Sequence, residues 1–294
     1  MSRETILASR RSFTDWGVWP RQRADIDPTG WLSNFDDDDQ GIAEALLDAF
    51  IFFNGEFTEH LFVSAMLSIS AQLNSSATER VEDWRQFLEH ALVTFPGSED
   101  QNPTDSGHRF TTIARNRLAI DEANIFLPAD MVRHLAAMAV KQPLIIVDDF
   151  TGSGDQFLST WNEPIVVSAG HSSSLAEEVR RLGIDQCFLV VVAITHDGLN
   201  EVKEQAPEVS VHAAHALPPQ ASLRHPATNL VTEDLVGSIA PIVEKYSRRA
   251  GVVGDPWGHR GLGVTLGFEH GVPDATLPLY WHSSDTWIPL RRRR

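Results

Sequence analysis

Apolar positions along the first ninety residues recur every three or four places. Ile42, Leu46, Leu47, Phe50 and Ile51 line one face of a helix over 42–53. Leu61, Phe62, Ala65, Met66 and Ile69 do the same over 58–73, and Trp84, Phe87 and Leu88 over 81–91. These segments read as a helical N-terminal subdomain or cap, residues 1–90. From Leu92 the pattern changes. Short apolar runs at 92–95, 124–127, 144–147, 188–194 and 209–213 predict strands, and the stretches 108–118, 129–140, 175–182 and 197–205 keep helical spacing. A further helix is predicted from the glycine-rich turn after 147 to about Trp161. Strands written as unbroken apolar runs and alternating with helices predict an α/β fold, a mostly parallel sheet flanked by helices, over residues 91–294. That domain is expected to end in a helix over 233–248 and an aromatic, proline-rich tail of extended segments.

Composition narrows the function classes. With 42% apolar and 22% charged residues in 294, the chain is globular rather than disordered, collagenous or coiled-coil. A single cysteine, Cys187, excludes an internal disulfide framework and cysteine-rich zinc modules, and its place at the start of an apolar run reads as a core thiol. The run 187–194 is far shorter than the ~18 residues needed to cross a bilayer, so no membrane span is expected. The N-terminus shows no apolar signal core, and a cytoplasmic protein is expected. Forty acidic residues against 24 basic ones give a net charge of −16. Such a field repels phosphate backbones, so general nucleic-acid binding is not expected. Only Lys141, Lys203 and Lys245 are lysines, so a cation serving an anionic ligand is expected to be arginine. The acidic run Asp36–Asp39 precedes a helix, where acids serve as caps and dipole partners.

One stretch carries most of the chemical information: Val147-Asp148-Asp149-Phe150-Thr151-Gly152-Ser153-Gly154-Asp155-Gln156. An apolar strand ends in two adjacent acids, which places Asp148 and Asp149 at the carboxyl edge of a parallel sheet, where open α/β sheets bind ligands. Gly152 and Gly154 then permit a sharp turn into a helix, with backbone N–H groups available to a phosphate. Adjacent carboxylates accept hydrogen bonds from a vicinal diol such as the hydroxyls of ribose. Phosphate and ribose diol side by side describe a ribose 5-phosphate clamp. Competing motifs fail: there is no Gly-x4-Gly-Lys-Ser/Thr, and Gly152–Phe157 lacks the third glycine of a dinucleotide turn. Thr151-Gly152-Ser153-Gly154 also lacks the spacing of a nucleophile elbow. A buried strand whose acids merely cap a helix stands as the alternative.

The stretch resembles the phosphoribosyl-pyrophosphate signature of type I phosphoribosyltransferases. The resemblance implies that Asp148 and Asp149 hold the ribose hydroxyls and, through the bound ligand, Mg²⁺. It assigns Thr151, Gly152, Ser153, Gly154, Asp155 and Gln156 to the loop around the 5-phosphate. Two departures stand out: Gly152 replaces an acid that acts on the base in purine-specific members, and Gln156 replaces a phosphate-contacting threonine. The resemblance further implies a pyrophosphate loop at 96–107, with Ser106 and Gly107 at a helix N-terminus and Arg109, Arg115 or Arg117 supplying charge. Glu99, Asp100 and Asp105 oppose that role, and an acidic surface loop is the alternative. The helical N-terminal portion, the motif and the tail (267–281 and 287–290) resemble the phosphoribosyltransferase-like proteins of bacterial conflict systems. The implied activity is transfer of a phosphoribosyl group to a nucleobase-like acceptor, with an effector role in defence. A non-catalytic ribose-phosphate or nucleotide sensor, and a scaffold that docks a protein partner through its N-terminal helices, remain alternatives.

Other residues carry less. His270, Asp274, Trp281 and Trp287 in the tail are candidates for base recognition, although packing over a core edge is expected of such a segment. His212 and His215 lack a zinc spacing, whereas His196 lies at the carboxyl edge of the 188–194 strand. Arg291–Arg294 is expected to be a solvated tip.

Overall fold

A computed structural model describes residues 3–16, 18, 26–73, 79–97 and 106–292. The chain forms two compact units: Glu59–Ala216 is one, and Met1–Thr58 with Leu217–Arg294 is the other. This division is cut differently from the expected boundary at residue 90. Aromatic residues from both ends of the chain share one core, so the chain up to Thr58 is built with the tail, whereas the helix Arg80–His90 belongs to the contiguous unit.

The contiguous unit is the α/β layer structure expected from the apolar runs. Its main sheet has four strands in the spatial order Leu92–Thr94, Leu144–Thr151, Cys187–Thr195 and Ser210–Leu217. The first pairs in parallel with the second and the second with the third, in registers that set Leu92 beside Leu144 and Leu144 beside Cys187. The run expected to be a strand at 124–127 is reduced to one parallel bridge, Ile125 to Val93, after a short 3₁₀ turn at Glu122–Asn124. It nonetheless sits on the outer side of the 92–94 strand, since Phe126 N donates to Val93 O at 2.9 Å. The chain thus steps from 92–94 outward to 125, then back across to 144–151. Such a reversal of strand order is where open α/β sheets bind ligands.

Alternation along the strands feeds both faces of the sheet. Leu144, Ile146, Leu189 and Val191 pack with Met131, Leu135, Trp161, Leu175 and Val179 from three helices, Pro128–Ala137, Asp155–Asn162 and Leu175–Leu182. On the other face Phe188 meets Phe87 of the helix Arg80–His90 edge-on, at 5.7 Å between ring centres. Burying a side chain of this size contributes about 1.5–3 kcal/mol. A two-stranded antiparallel hairpin, Ile165–Ser168 with His171–Ser173, lies outside the main sheet.

In the other unit, the helix expected over 42–53 stops at Ala49. Ile51–Phe53 instead forms a strand parallel to Leu266–Phe268 of the tail. Phe and Ile favour extended backbone, and a partner strand more than 200 residues away decides the outcome. Trp31, Phe35, Leu46, Ile239, Tyr246, Tyr280, Trp287 and Leu290 share this unit's core. The expected capping role of the acidic run needs correction. Asp36 and Asp39 make no side-chain cap bonds; they bind Lys245 and Arg249 of the helix Glu233–Ala250. The expected solvated tip is corrected too: Arg291 is 1% exposed, with Nη2 donating to Glu269 O at 2.6 Å. Among the described residues no helix is long and apolar enough to cross a membrane.

Candidate functional site

The motif strand runs further than its apolar core predicts, from Leu144 through the acid pair to Thr151, because the neighbouring strand continues beside it to Ile194. Asp148 and Asp149 are therefore held inside a ladder. Successive side chains of a strand leave on opposite faces, and the two acids differ accordingly: Asp148 is 4% exposed, whereas Asp149 is half-buried. Asp148 Oδ1 accepts the N–H of Asp149 at 2.9 Å. The outer carboxylate is the accessible one, and the inner one braces the backbone that carries it.

After Thr151 the chain turns through Gly152 and Ser153 to Gly154, which has φ +86° and caps the helix Asp155–Asn162. An L side chain rarely adopts that conformation, so glycine is needed here for the backbone itself. Gly154 at the N-cap has no side chain to cap with, and Ser153 Oγ accepts the Asp155 N–H at 3.3 Å; a helix start of this kind can offer its other amides to water or a ligand. Ser153 Oγ donates to Asp155 Oδ2 at 2.8 Å, so one hydroxyl of the turn is engaged by a carboxylate of the same turn. Gln156 is exposed on the helix surface.

The carboxyl end of the 92–94 strand is tied to the same helix: Gly97 N donates to Thr160 Oγ1 at 2.9 Å. Residues 98–105 of the expected pyrophosphate loop lie outside the described residues. Beyond them the helix Ser106–Leu118 begins, with Gly107 so close to Phe95 that a Cβ would fall 2.2 Å from the ring. This contact sets the helix start against the end of the 92–94 strand. The arginines expected to serve it are spread along the helix. Arg109 stands exposed in the first turn. Arg115 pairs with Glu122 at 3.2 Å in the last turn, and Arg117 pairs with Glu59. Arg109, Arg117 and Glu59 line one groove with Thr112, Ile113 and Asn116.

Sequence reasoning missed Thr195 and Gly198. Thr195 ends the strand beside the motif, and its Oγ1 donates to Gly152 O at 2.5 Å while accepting Gly198 N–H at 3.0 Å. The signal was present as Thr195-His196-Asp197-Gly198, a helix-capping threonine after a buried strand. His196 itself is exposed and contacts Asn200 through Nε2 at 2.9 Å.

A family-wide sequence pattern, PRTase-CE, matches residues 28–293. The chain belongs to this phosphoribosyltransferase-type family. No curated protein matches it. The PRTase-CE match spans the motif strand, its turn and the tail.

The tail residues considered for base recognition divide. Trp287 is buried in the core, Trp281 donates from Nε1 to Thr276 O at 3.0 Å, and Asp274 is exposed. His212 is buried, with Nδ1 2.6 Å from Ser68 Oγ, and burial pushes its pKa down, which keeps the ring neutral. Among the described residues no group of three or more His, Cys, Asp or Glu stands together to hold a metal. Of the two motif carboxylates, Asp149 is the accessible one, and a carboxylate oxygen is a donor that Mg²⁺ accepts.

Proposed function

We propose that this PRTase-CE protein binds phosphoribosyl pyrophosphate, or a related ribose phosphate, with Mg²⁺ and transfers the phosphoribosyl group to a nucleobase-like acceptor. The observation that carries the proposal is the acid pair and the glycine turn at a helix N-terminus, set together at a strand end beside the reversal of strand order. In this reading the amides of 152–155 receive the 5-phosphate and Asp149 accepts from the ribose hydroxyls. Asp148, behind it, fixes the geometry, and the start of the 106–118 helix faces the leaving pyrophosphate. Bond making to a ring nitrogen and bond breaking to pyrophosphate both occur at ribose C1, where positive charge develops beside the carboxylates. Mg²⁺, when bound, neutralises charge on the leaving group.

Calorimetry with phosphoribosyl pyrophosphate and Mg²⁺ tests the assignment. Micromolar binding by the wild type and its loss in Asp148→Asn/Asp149→Asn is the expected result. A wild type that binds neither this donor nor ribose 5-phosphate defeats the proposal. The proposed setting is that of a conflict-system effector. Expression is expected to arrest bacterial growth, and the same double substitution is expected to relieve it.

A second reading, a ribose-phosphate sensor without turnover, is favoured by one contact. Asp155 places a carboxylate in the phosphate turn and engages the hydroxyl of Ser153. Binding without pyrophosphate release across a panel of bases selects this reading; release with any base rejects it.

A further inference from the structure

We infer that Thr195 is a positioning residue for the phosphate-binding turn, acting with Gly198 to fix the peptide between Gly152 and Ser153 in its receptive orientation. The inference rests on the proposed phosphate role of that turn and adds two residues outside the motif.

The Thr195 hydroxyl has one proton to give. Gly198 N–H, at 3.0 Å, occupies an acceptor position on Oγ1, and the proton goes to Gly152 O at 2.5 Å. Thr195 is 9% exposed, so water competes poorly for either bond. The carbonyl of residue 152 and the N–H of residue 153 belong to one planar trans peptide and point in opposite directions. With the carbonyl drawn toward the 196–205 helix, the N–H of Ser153 faces the other way. A flip of this peptide would exchange them and present a carbonyl oxygen to an anion. Glycine at 152 gives the backbone little resistance to such a flip, so restraint has to come from outside the turn.

Gly198 is the other half of the device. A Cβ at 198 would lie 2.2 Å from Gly152 O and 3.1 Å from Thr151 O, both backbone atoms of the motif. Alanine is the better helix former, so glycine here opposes local propensity and lets the two backbones meet.

The test is binding of ribose 5-phosphate and of phosphoribosyl pyrophosphate with Mg²⁺ to the wild type, Thr195→Val, Thr195→Ser, Gly198→Ala and Asp148→Asn/Asp149→Asn, with melting temperatures throughout. Thr195→Val and Gly198→Ala are expected to weaken both ligands roughly tenfold or more, as for a lost or misdirected hydrogen bond to an ionised group. Thr195→Ser keeps the hydroxyl and is expected to restore affinity to within about threefold. A merely structural role predicts affinity lost only in proportion to the fall in melting temperature, and that result overturns the positioning role. Wild-type affinity in Thr195→Val and Gly198→Ala, with binding lost in the double aspartate variant, overturns the positioning role and leaves the proposed function standing. Absence of binding by the wild type overturns both.

Discussion

The indole N–H groups of Trp31 and Trp287 converge on one acceptor, the carbonyl oxygen of Leu279, at 2.7 and 3.0 Å. Both rings are buried, and they come from opposite ends of the sequence. A carbonyl has two lone pairs and is fully used here. Trp31→Phe or Trp287→Phe leaves one donor in place, so each hydrogen-bond loss is expected to cost about 1 kcal/mol, plus the missing ring volume. With both donors gone the oxygen is buried without a partner. Denaturant titrations of the singles and the double are expected to show a double loss exceeding the sum by roughly 1 kcal/mol. Simple additivity would mean that the carbonyl finds another donor.

Acid is expected to loosen the contact between the aspartate run and the 233–250 helix. Arg249 grips Asp36 through both terminal nitrogens at 2.8 Å, and Lys245 reaches both Asp36 and Asp39. Hydrogen bonds from Arg249 first and Lys245 second hold the Asp36 carboxyl well below the usual carboxylate range. Bonds from Lys245 and Tyr246 depress Asp39 as well. A depressed carboxyl contributes stability above its unfolded pKa, roughly 3.9, and loses it as pH falls through the lower folded value. Lys245, raised chiefly by Asp36, contributes below its unfolded value and loses its contribution only in strong alkali. Melting temperature is therefore expected to hold from pH 7 to about 5 and decline below about 4. Asp36→Asn should flatten that decline, and added salt should mimic the substitution because Asp36, Lys245 and Arg249 are exposed.

Gly154→Ala isolates backbone strain from crowding. A Cβ at this position meets its nearest neighbours at an ordinary 3.5 Å, whereas φ is +86°. The expected cost is about 1–2 kcal/mol from the left-handed conformation alone. Ribose-phosphate binding is expected to weaken beyond what the stability loss explains, since the turn can relax away from the strained geometry. Urea unfolding beside calorimetry separates the two effects.

Arg291→Ala is expected to destabilise the unit built from the chain ends by about 2–3 kcal/mol. The guanidinium is buried, donates to Glu269 O, and stands over the Phe52 ring 6.0 Å from its centre. Arg291→Lys should recover little, because an ammonium does not reproduce the planar fork. Recovery to wild type in urea titration would reduce the residue to a surface charge.

The sheet and the motif were legible because their signals are local. Four apolar residues, two acids and two glycines in order specify a strand end and a turn within eleven positions. What escaped the sequence depends on distant chain. Ile51–Phe53 carries helical spacing, but Leu266–Phe268 turns it into a strand. Ile125 keeps its place beside Val93, but the run around it does not form a regular strand. Arg291 reads as a terminal charge until Glu269 and Phe52 close around it. Thr195 and Gly198 were visible as a helix cap, yet nothing in a linear reading tells which carbonyl the threonine hydroxyl would meet.

The division of the chain also has a consequence for synthesis. Residues 59–216 are contiguous, so every strand of the main sheet has left the ribosome before the C-terminal partners of Trp31 and Leu46 exist. At about 5–20 residues per second, the N-terminal aromatic residues wait roughly 10–50 s for Tyr280, Trp287 and Leu290 to emerge. During that interval the nascent protein carries an incompletely covered aromatic surface ahead of its main sheet, a natural client for chaperones. A chain stalled near residue 240 would hold its glycine turn complete and the core of its two chain ends half built.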